Sequence, residues 1–279
     1  MIVLVDAMNL LFIELGAAKS SLFKEGKDLD AKNWPFFISI LMHRVHNIFS
    51  TYNNVVFCWE GKNSLTRRKE IYSEYKGNRT KAKEEISYEL MIDFIPKFQK
   101  LLESYPCKSI TADGCEGDDV IYAIAELEHK FQEVLIISTD NDLSQIQEKF
   151  GDNVSMYNPV KKKYVVKQNV VLEKAIVGDK GDNIPGISKI GAKTFEKMLA
   201  DSEYMEEVLN KGNNRKIMEQ FLDVVDLSKL PENLKNNILE KYKKEFYSFS
   251  PDTIEQFFWD NKCKELISRW GTVKTKIMT

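Results

Sequence analysis

Acidic side chains recur in this sequence where short apolar runs end. Four such runs, each typical of a buried β-strand, lead into aspartate or glutamate. The carboxyl ends of neighbouring parallel strands meet in one crevice of an open α/β sheet, so these carboxylates are expected to lie together. Clustered carboxylates repel one another and are costly to desolvate unless cations compensate them. The acids of this pattern, including those of a later glycine-rich segment, are Asp6, Glu60, Glu116, Asp118, Asp119, Asp140, Asp142, Asp179 and Asp182.

Oxygen ligands that leave room for water suit Mg²⁺ or Mn²⁺, so the pattern predicts a two-metal site. Each acidic segment also has a plainer interpretation when it is taken alone. Residues 116–119 can form a capped, charged first helical turn. Residues 138–142 can form an Asx-turn, and the glycine-rich segment 178–186 can be an ordinary turn. The joint occurrence of three acid-rich turns favours the metal site.

A second candidate site is the basic segment 61–84, in which eight Lys or Arg residues accompany three acids. Most charge runs are only solvated surface, and the whole chain carries a net charge of −2. A concentrated basic segment beside an acidic cluster nevertheless indicates a phosphate substrate that is steered to metals. Aromatic rings interleave with the cations, as in sites that stack bases and follow phosphates. The candidates for nucleic-acid contact are Arg67, Arg68, Tyr72, Tyr75, Lys81 and Lys83, with Lys76 and Arg79 in the same segment.

Residues 184–194 combine glycines and lysines ahead of a helical segment. Glycine lets backbone N–H groups approach a phosphate, and the N-terminus of the following helix adds its positive end. The pattern matches a helix-hairpin-helix-like clamp for a DNA backbone, with candidate contacts at Gly186, Lys189, Gly191 and Lys193. The three histidines fall in predicted helices and favour structural roles. The sequence has no recognisable Ser/His/Asp triad, Walker loop or zinc site.

The elements that must position these residues follow from hydrophobic periodicity. Strands predicted at 2–5, 54–59, 108–112 and 134–138 alternate with helical patterns, which indicates parallel βαβ units. The predicted helices of this part span 35–50, 84–103 and 118–131, and the stretch 62–83 reads as a mobile connector. Residues 153–158 and 163–166 favour a hairpin or two edge strands. From residue 168 the pattern is helical, with segments near 192–199, 202–209, 215–225, 234–243 and 253–258. The expected fold class is α/β with a helical C-terminal region.

Composition sets the broad class of protein. The chain has 279 residues, of which 43% are hydrophobic and 29% charged, as in ordinary globular proteins. No apolar run approaches the ~20 residues that span a bilayer. The first residues read as a buried strand entering a helix rather than as a signal peptide. The four cysteines show no CxxC pairing, so free thiols in a reducing cytoplasm are expected.

In combination, these motifs resemble the flap endonuclease/5′-nuclease superfamily, which has a PIN-like catalytic core. The resemblance rests on Asp6, on the acid-rich segments 116–119, 138–142 and 178–186, and on the hairpin element. The run 75–85 is especially similar to the T-even phage ribonuclease H branch, whose members are replication 5′–3′ exonucleases. The resemblance implies a mostly parallel central sheet flanked by helices. It implies a nuclease domain at 1–183 with a helical arch at about 61–105, and an all-helical DNA-binding region at 184–279.

The resemblance also implies roles for the matching residues. A first metal would be surrounded by Asp6, Glu60, Glu116, Asp118 and Asp119, and a second by Asp140, Asp142, Asp179 and Asp182. Lys76 and Arg79 would contact the scissile phosphate, and Tyr75 would stack on the terminal base. The hairpin would hold the duplex, in relatives often with bound K⁺. Glu60 stands where the family commonly has Asp, and the short arch leaves open whether the strand threads it or is clamped.

The implied activity is that of a structure-specific 5′ nuclease. It comprises Mg²⁺-dependent 5′–3′ exonuclease and flap endonuclease activity, with RNase H activity on RNA–DNA hybrids, and removes RNA primers and 5′ flaps during DNA replication. The alternatives are a PIN-type ribonuclease and a non-catalytic DNA-junction-binding protein. A metal-dependent phosphatase fits less well, because residues 6–8 lack its second acid. The implied partners of a monomer are DNA (5′ flaps, forks, nicked duplex) and RNA–DNA hybrid. Recruitment by a single-strand-binding protein or sliding clamp stays open, and a phage-encoded chain would act in the host cytoplasm.

Overall fold

The computed structural model describes residues 1–79, 86–244 and 248–278. A six-stranded sheet with strand order β3-β2-β1-β4-β5-β6 forms its centre. Strands β1 to β5 pair in parallel, and β6 runs antiparallel to β5. The strands are β1 Ile2–Asp6, β2 Val55–Glu60, β3 Cys107–Ala112, β4 Val134–Ile137, β5 Val154–Asn158 and β6 Lys163–Val165. The mostly parallel α/β class and the β5–β6 hairpin are confirmed.

Helices connect the strands and form the C-terminal region. The N-terminal part contains α1 Ala7–Lys24, α2 Trp34–Phe49, α3 Thr66–Ile71, α4 Ile86–Leu102, α5 Gly117–Glu128 and α6 Ser144–Phe150. The remaining described chain contains α7 Val170–Val177, α8 Ala192–Ala200, α9 Ser202–Leu209, α10 Asn214–Val225, α11 Glu232–Lys244, α12 Pro251–Asp260 and α13 Lys264–Met278. Within the described ranges, no helix is both long enough and apolar enough to span a bilayer.

The two faces of the sheet support two hydrophobic cores. Successive side chains of a strand point to opposite faces, so Val3 and Val5 enter one core while Ile2 and Leu4 enter the other. The first core includes residues of α1, α2, α4, α12 and α13. The second includes residues of α5, α6 and α11. Both cores therefore include helices from the C-terminal region, and a domain boundary at 183/184 stays a prediction.

The strand order fixes where the acidic residues meet. From the central strand β1, the sheet grows towards β2 and β3 on one side and towards β4 on the other. Ligands of open α/β sheets bind outside the carboxyl ends of the strands at such a switch point. Asp6 is the last residue of β1, and Asp140 follows β4 by three residues. The fold therefore brings these two acids to one crevice.

The basic segment differs from the predicted mobile connector. It contains helix α3, and its Arg68 and Tyr75 side chains are buried. Tyr75 belongs to a small core that it shares with Phe221 and Val224 of α10, and the Arg68 side chain donates to the carbonyl of Val224 at 2.9 Å. The connector prediction was wrong for residues 66–79, because a helix more than 130 residues later in the chain packs against part of this segment.

Candidate metal centre

Asp6 lies at the junction of β1 and α1, where its side chain already has two donors. The carboxylate caps α1 by accepting the Asn9 backbone N–H at 3.0 Å, and it accepts the Ser138 hydroxyl at 2.9 Å. Burial, and to a lesser extent the charge of Asp140, raise the pKa of Asp6 to about 6. The carboxylate is thus held in a fixed orientation. Ionising it in this buried position costs free energy, and a nearby cation would offset that cost.

Asp118 lies in the first turn of α5, where the charges of Asp140 and Asp6 act on its carboxylate. In the described parts of the chain, no donor hydrogen-bonds its carboxylate. Desolvation, followed by the charges of Asp140 and Asp6, raises the pKa of Asp118 well above its ordinary value. A desolvated carboxylate that has acidic neighbours and accepts no hydrogen bond is a suitable ligand for a hard divalent cation. These three acids, Asp6, Asp118 and Asp140, are named the first carboxylate group.

Asp140 is positioned by the loop that follows β4. Its side chain accepts the backbone N–H of Asp142 at 2.9 Å and caps a short 3₁₀ turn. The predicted Asx-turn is therefore present, and it orients a residue of the first group. Asn9 of α1 braces the same loop, because its amide bonds the Thr139 hydroxyl and backbone at 2.9 Å each. Sequence reasoning missed Asn9, whose only signal was its position three residues after Asp6.

Glu116 and Asp119 form a capping box at the start of α5. Asp119 is completely buried, and both of its carboxylate oxygens accept hydrogen bonds from Arg68, at 2.8 and 2.9 Å. Burial works to raise the pKa of Asp119, but the charge and hydrogen bonds of Arg68, together with the charge of Arg67, outweigh it and lower the pKa. The capped-turn interpretation thus holds for Asp119, whose oxygens are already engaged.

Glu116 is held by cations of the basic segment. Its carboxylate accepts from Arg68 at 2.6 Å and from the Tyr75 hydroxyl at 3.2 Å, and it also contacts the Lys76 ammonium. The exposed Glu60 ends β2 beside this network. Partial desolvation and the charge of Glu116 raise the pKa of Glu60. These contacts place Lys76 directly next to the acids.

Asp142, Asp179 and Asp182 form a second carboxylate group, with one oxygen of each within 4.8 Å of the others. The loop carrying two of them is closed by Gly178 and Gly186, which have φ angles of +91° and +66°. A Cβ atom at either position would lie 2.5 Å from the backbone of the opposite loop segment. Only glycine fits this close approach.

The base of the basic segment is joined to the loop of the second group. The Lys76 N–H donates to the Asp182 carbonyl at 2.9 Å, and the Asn183 amide donates to the Glu74 carbonyl at 2.8 Å. The Arg79 guanidinium contacts the Asp182 carboxylate at 2.8 Å. The predicted catalytic cations, Lys76 and Arg79, therefore both lie against the Asp182 carboxylate, and Lys76 also contacts Glu116.

The predicted nucleic-acid contacts separate into four sets. Arg68 and Tyr75 are 3% and 4% exposed, so the prediction that they contact nucleic acid is corrected by their burial. Arg67 is 16% exposed and pairs with Asp119, while Tyr72 is half-buried against Phe221 at a ring distance of 5.3 Å. Lys81 and Lys83 lie outside the described residues. The remaining set belongs to the hairpin element.

In the hairpin element, Lys189, Gly191 and Lys193 are exposed at the N-terminus of α8, which has Gly191 as its N-cap residue. Gly186 is buried and closes the preceding loop. The exposed lysines and the free helix N-terminus together form a surface that suits an anion.

A metal that binds the carboxylate groups must compete with protons. Desolvation raises the pKa values of Asp6 and Asp142 to about 6. Between about pH 4 and pH 6 the native state therefore keeps protons on these two carboxylates that the unfolded chain has lost. The metal-free protein loses stability as pH rises through this range. We expect Ca²⁺ or Mg²⁺ to raise the melting temperature at about pH 8 and to have little effect at about pH 5. Thermal melts across this range, with EDTA as control, test this, and an equal metal effect at both pH values would contradict it.

A mostly parallel sheet with acidic residues converging at its switch point is typical of metal-dependent enzymes that act on phosphate esters. The family model "5'-3' exonuclease, N-terminal resolvase-like domain" matches residues 1–176. The chain belongs to this 5′–3′ exonuclease family.

Relatives include DNA polymerase I of Bacillus subtilis, 27% identical over 84% of this chain and 28% of that protein. A 5′–3′ exonuclease of Aquifex aeolicus is 30% identical over 66% of this chain and 64% of that protein. A third relative, a 5′–3′ exonuclease of Buchnera aphidicola, is 33% identical over 51% of each chain. The chain thus spans about a quarter to two thirds of the length of these relatives.

Solved structures share the fold. The D15 protein of bacteriophage T5, co-crystallised with metal ions, has a TM-score of 0.64 and 21% identity, covering 86% of this chain and 98% of that one. The T5 5′-exonuclease with bound zinc has a TM-score of 0.63 and 20% identity, covering 93% and 97%. The catalytic core of Rad2 in complex with DNA has a TM-score of 0.52 and 15% identity, covering 95% and 90%.

Proposed function

We propose that this chain is a structure-specific 5′ nuclease that hydrolyses phosphodiester bonds with divalent metal ions. The observation that carries the proposal is the second carboxylate group, in which one oxygen each of Asp142, Asp179 and Asp182 lies within 4.8 Å of the others. Asp118, whose pKa is raised by burial and by the charges of Asp140 and Asp6, adds to it. Family membership and the metal-bound T5 relatives support it. Mg²⁺ is the proposed physiological ion, because all of the candidate donors are hard carboxylate oxygens.

Asp6, Asp118 and Asp140 would hold one ion, with Glu116 and Glu60 within reach through water. Asp142, Asp179 and Asp182 would hold the other. When bound, such ions supply an activated water and stabilise the leaving 3′ oxygen. We propose that Asp119 does not bind a metal directly but holds the Arg68 guanidinium, because both of its carboxylate oxygens accept hydrogen bonds from Arg68.

Lys76 and Arg79 would stabilise the charge that develops on the scissile phosphate. Their contacts with Glu116 and Asp182 support this role, because a substrate phosphate that enters between the groups would meet both cations. Lys189 and Lys193 would hold the duplex backbone, with K⁺ as a further ion at the hairpin. The proposed substrates are 5′ flaps and RNA primers in RNA–DNA hybrids, so RNase H activity and a replication role belong to the proposal.

A cleavage assay tests the function and separates it from the alternatives. The purified chain is incubated with 5′-flap DNA, RNA–DNA hybrid and single-stranded RNA, in Mg²⁺ or in EDTA. We expect short products with 5′-phosphates from the first two substrates in Mg²⁺ only. Cleavage of free RNA alone would favour a PIN-type ribonuclease, and duplex binding without any product would favour a junction-binding protein.

Asp140→Asn provides the residue-level test of the same proposal. Asparagine keeps an oxygen that can cap the 3₁₀ turn but removes the charge, so we expect cleavage to fall by about 10³-fold while flap binding in EDTA persists. Asp152→Asn makes the same chemical change at an exposed residue and should leave both unchanged. Loss of binding together with cleavage would show that Asp140 is a structural residue.

A further inference from the structure

Lys174 is a buried lysine that sequence reasoning did not single out. It lies on α7 between Glu173 and Ala175, and its side chain is only 10% exposed. Its ammonium lies 2.9 Å from Asp179 Oδ2 and 2.7 Å from Asp182 Oδ2, and it also contacts Asp142 Oδ2. One cation of the chain therefore contacts every member of the second carboxylate group.

The other oxygen of Asp182 is engaged as well. Its Oδ1 atom accepts from the Arg79 guanidinium at 2.8 Å, and the Lys76 ammonium is 3.9 Å away. Both oxygens of this carboxylate therefore meet cations that the chain itself supplies. Burial disfavours the charge on Lys174, but the carboxylates of Asp142 and Asp182 outweigh this and raise its pKa. The ammonium is thus held as a cation.

A divalent ion and this ammonium would need the same position. Mg²⁺ and Ca²⁺ bind carboxylate oxygens at about 2.0–2.6 Å, so an ion shared by the three acids would lie among oxygens that are within 4.8 Å of one another. The Lys174 nitrogen already lies within hydrogen-bond distance of that set. Two cations at this separation would repel strongly in a partly buried site.

We propose that Lys174 is a tethered counter-cation of the second carboxylate group, which a divalent ion must displace in order to bind there. The inference rests on the proposed metal centre. In the metal-free protein Lys174 offsets the repulsion among Asp142, Asp179 and Asp182, which keeps the loop 178–186 folded. The same contact lowers the affinity of this group for metal, so Lys174 makes the second group weaker than the first.

Calorimetric titration with Ca²⁺, without substrate, tests the proposal. We compare the wild type with Lys174→Met, which removes the charge, and with Lys174→Arg, which keeps it. Lys180→Met removes a charge from an exposed residue of the same loop and serves as the matched control. Asp142→Asn identifies which binding event belongs to the second group.

Because Lys174 makes charge-assisted contacts with three carboxylates, Lys174→Met should bind Ca²⁺ at this group about tenfold or more tightly. Lys174→Arg and Lys180→Met should remain within about threefold of the wild type. Unchanged affinity in Lys174→Met, with binding that Asp142→Asn removes, would overturn the inference and leave the metal centre intact. Identical titrations in the wild type and Asp142→Asn would instead overturn the proposed second metal site.

Removal of Lys174 leaves Asp142 and Asp179 without their cation and Asp182 with Arg79 and Lys76 alone, so circular dichroism accompanies each titration. If Lys174→Met is unfolded without metal, the proposal predicts that millimolar Ca²⁺ restores the fold, because the ion takes the place of the ammonium. A variant that stays unfolded in Ca²⁺ would overturn the counter-cation role. Lys174→Gln, which keeps a polar side chain but removes the charge, is tested in the same way. Refolding in Ca²⁺ would support the counter-cation role, and failure to refold would overturn it.

Discussion

Asp118→Asn is expected to abolish cleavage and, at the same time, to raise the stability of the metal-free protein. Both effects come from one property of the wild-type residue, a desolvated carboxylate that faces Asp6 and Asp140 without a donor among the described residues. Asparagine has nearly the same shape but no charge. It therefore removes the repulsion within the first carboxylate group and also removes the charge that would attract a divalent ion.

The stability gain should depend on pH in a defined direction. The pKa of Asp118 is raised well above its ordinary value, so the native carboxyl keeps its proton while the unfolded one ionises. The wild type then loses stability relative to the variant as pH rises above about 4. Thermal melts in EDTA should show little difference at about pH 4 and a growing advantage for Asp118→Asn towards about pH 8.

Cleavage of 5′-flap DNA in Mg²⁺ should fall by about 10³-fold in the same variant, because an ion of the first group loses a charged ligand. Asp152→Asn, at an exposed residue, is the matched control for both measurements. A stable variant that still cleaves would remove Asp118 from the metal centre. A variant that is less stable than the wild type at about pH 8 would show that the carboxylate has a favourable partner.

The strands, and the gathering of acidic residues at their carboxyl ends, could be predicted because their signals are local. Asp140 was expected with the second metal, whereas its charge acts on Asp6 and Asp118. An apolar run of four to six residues that ends in an acid predicts both a buried strand and the crevice at its carboxyl end. Strand β2, predicted at 54–59, spans Val55–Glu60, and β4, predicted at 134–138, spans Val134–Ile137. Their acids converge because parallel pairing aligns the strand ends.

The role of each acid within a cluster could not be predicted in the same way. Asp118 and Asp119 are adjacent in sequence, but successive residues of a helix point about 100° apart. One of them therefore faces the acids of the crevice, and the other lies against Arg68. The sequence signal of a capping box and that of a metal site overlap here; the capping box is present, and the metal site belongs to the proposed function.

Contacts between distant segments were the main source of error. A run of cations and aromatic rings such as residues 67–79 predicts a surface that contacts nucleic acid. Helix α10 covers part of this run, so Tyr75 enters a core with Phe221 and Arg68 reaches the Val224 carbonyl. Lys174 is a second example, since only the folding of α7 against the loop 178–186 brings it to the acids.

Arg68→Met is expected to cost about 3–5 kcal/mol of unfolding free energy, which is a large part of the stability of a typical domain. The guanidinium is 3% exposed and bonds both oxygens of Asp119, one oxygen of Glu116 and the Val224 carbonyl. Methionine fills a similar volume but leaves two buried carboxylates without their main cation. Lysine should not rescue this loss, because a single ammonium cannot reproduce the forked contacts.

Arg67→Met provides the matched control, since it removes the same charge from the neighbouring residue. Arg67 is 16% exposed and contacts Asp119 at 3.2 Å with one nitrogen, and no residue in the described parts of the chain bonds its buried Nε atom. Its loss should cost less than about 1 kcal/mol. Denaturant unfolding in EDTA measures both variants, and equal midpoints would contradict the assigned role of Arg68.

A double-mutant cycle separates the contact with Asp119 from the other partners of Arg68. Once Asp119 is replaced by Asn, Glu116 is the one buried carboxylate of the two that Arg68 still offsets, so Arg68→Met should cost about 2 kcal/mol less in that background. Additive effects would instead mean that Glu116 and the Val224 carbonyl account for the stabilisation. A positive coupling would identify the Arg68–Asp119 pair as the support that fixes the start of α5, and therefore the position of Asp118 at the crevice.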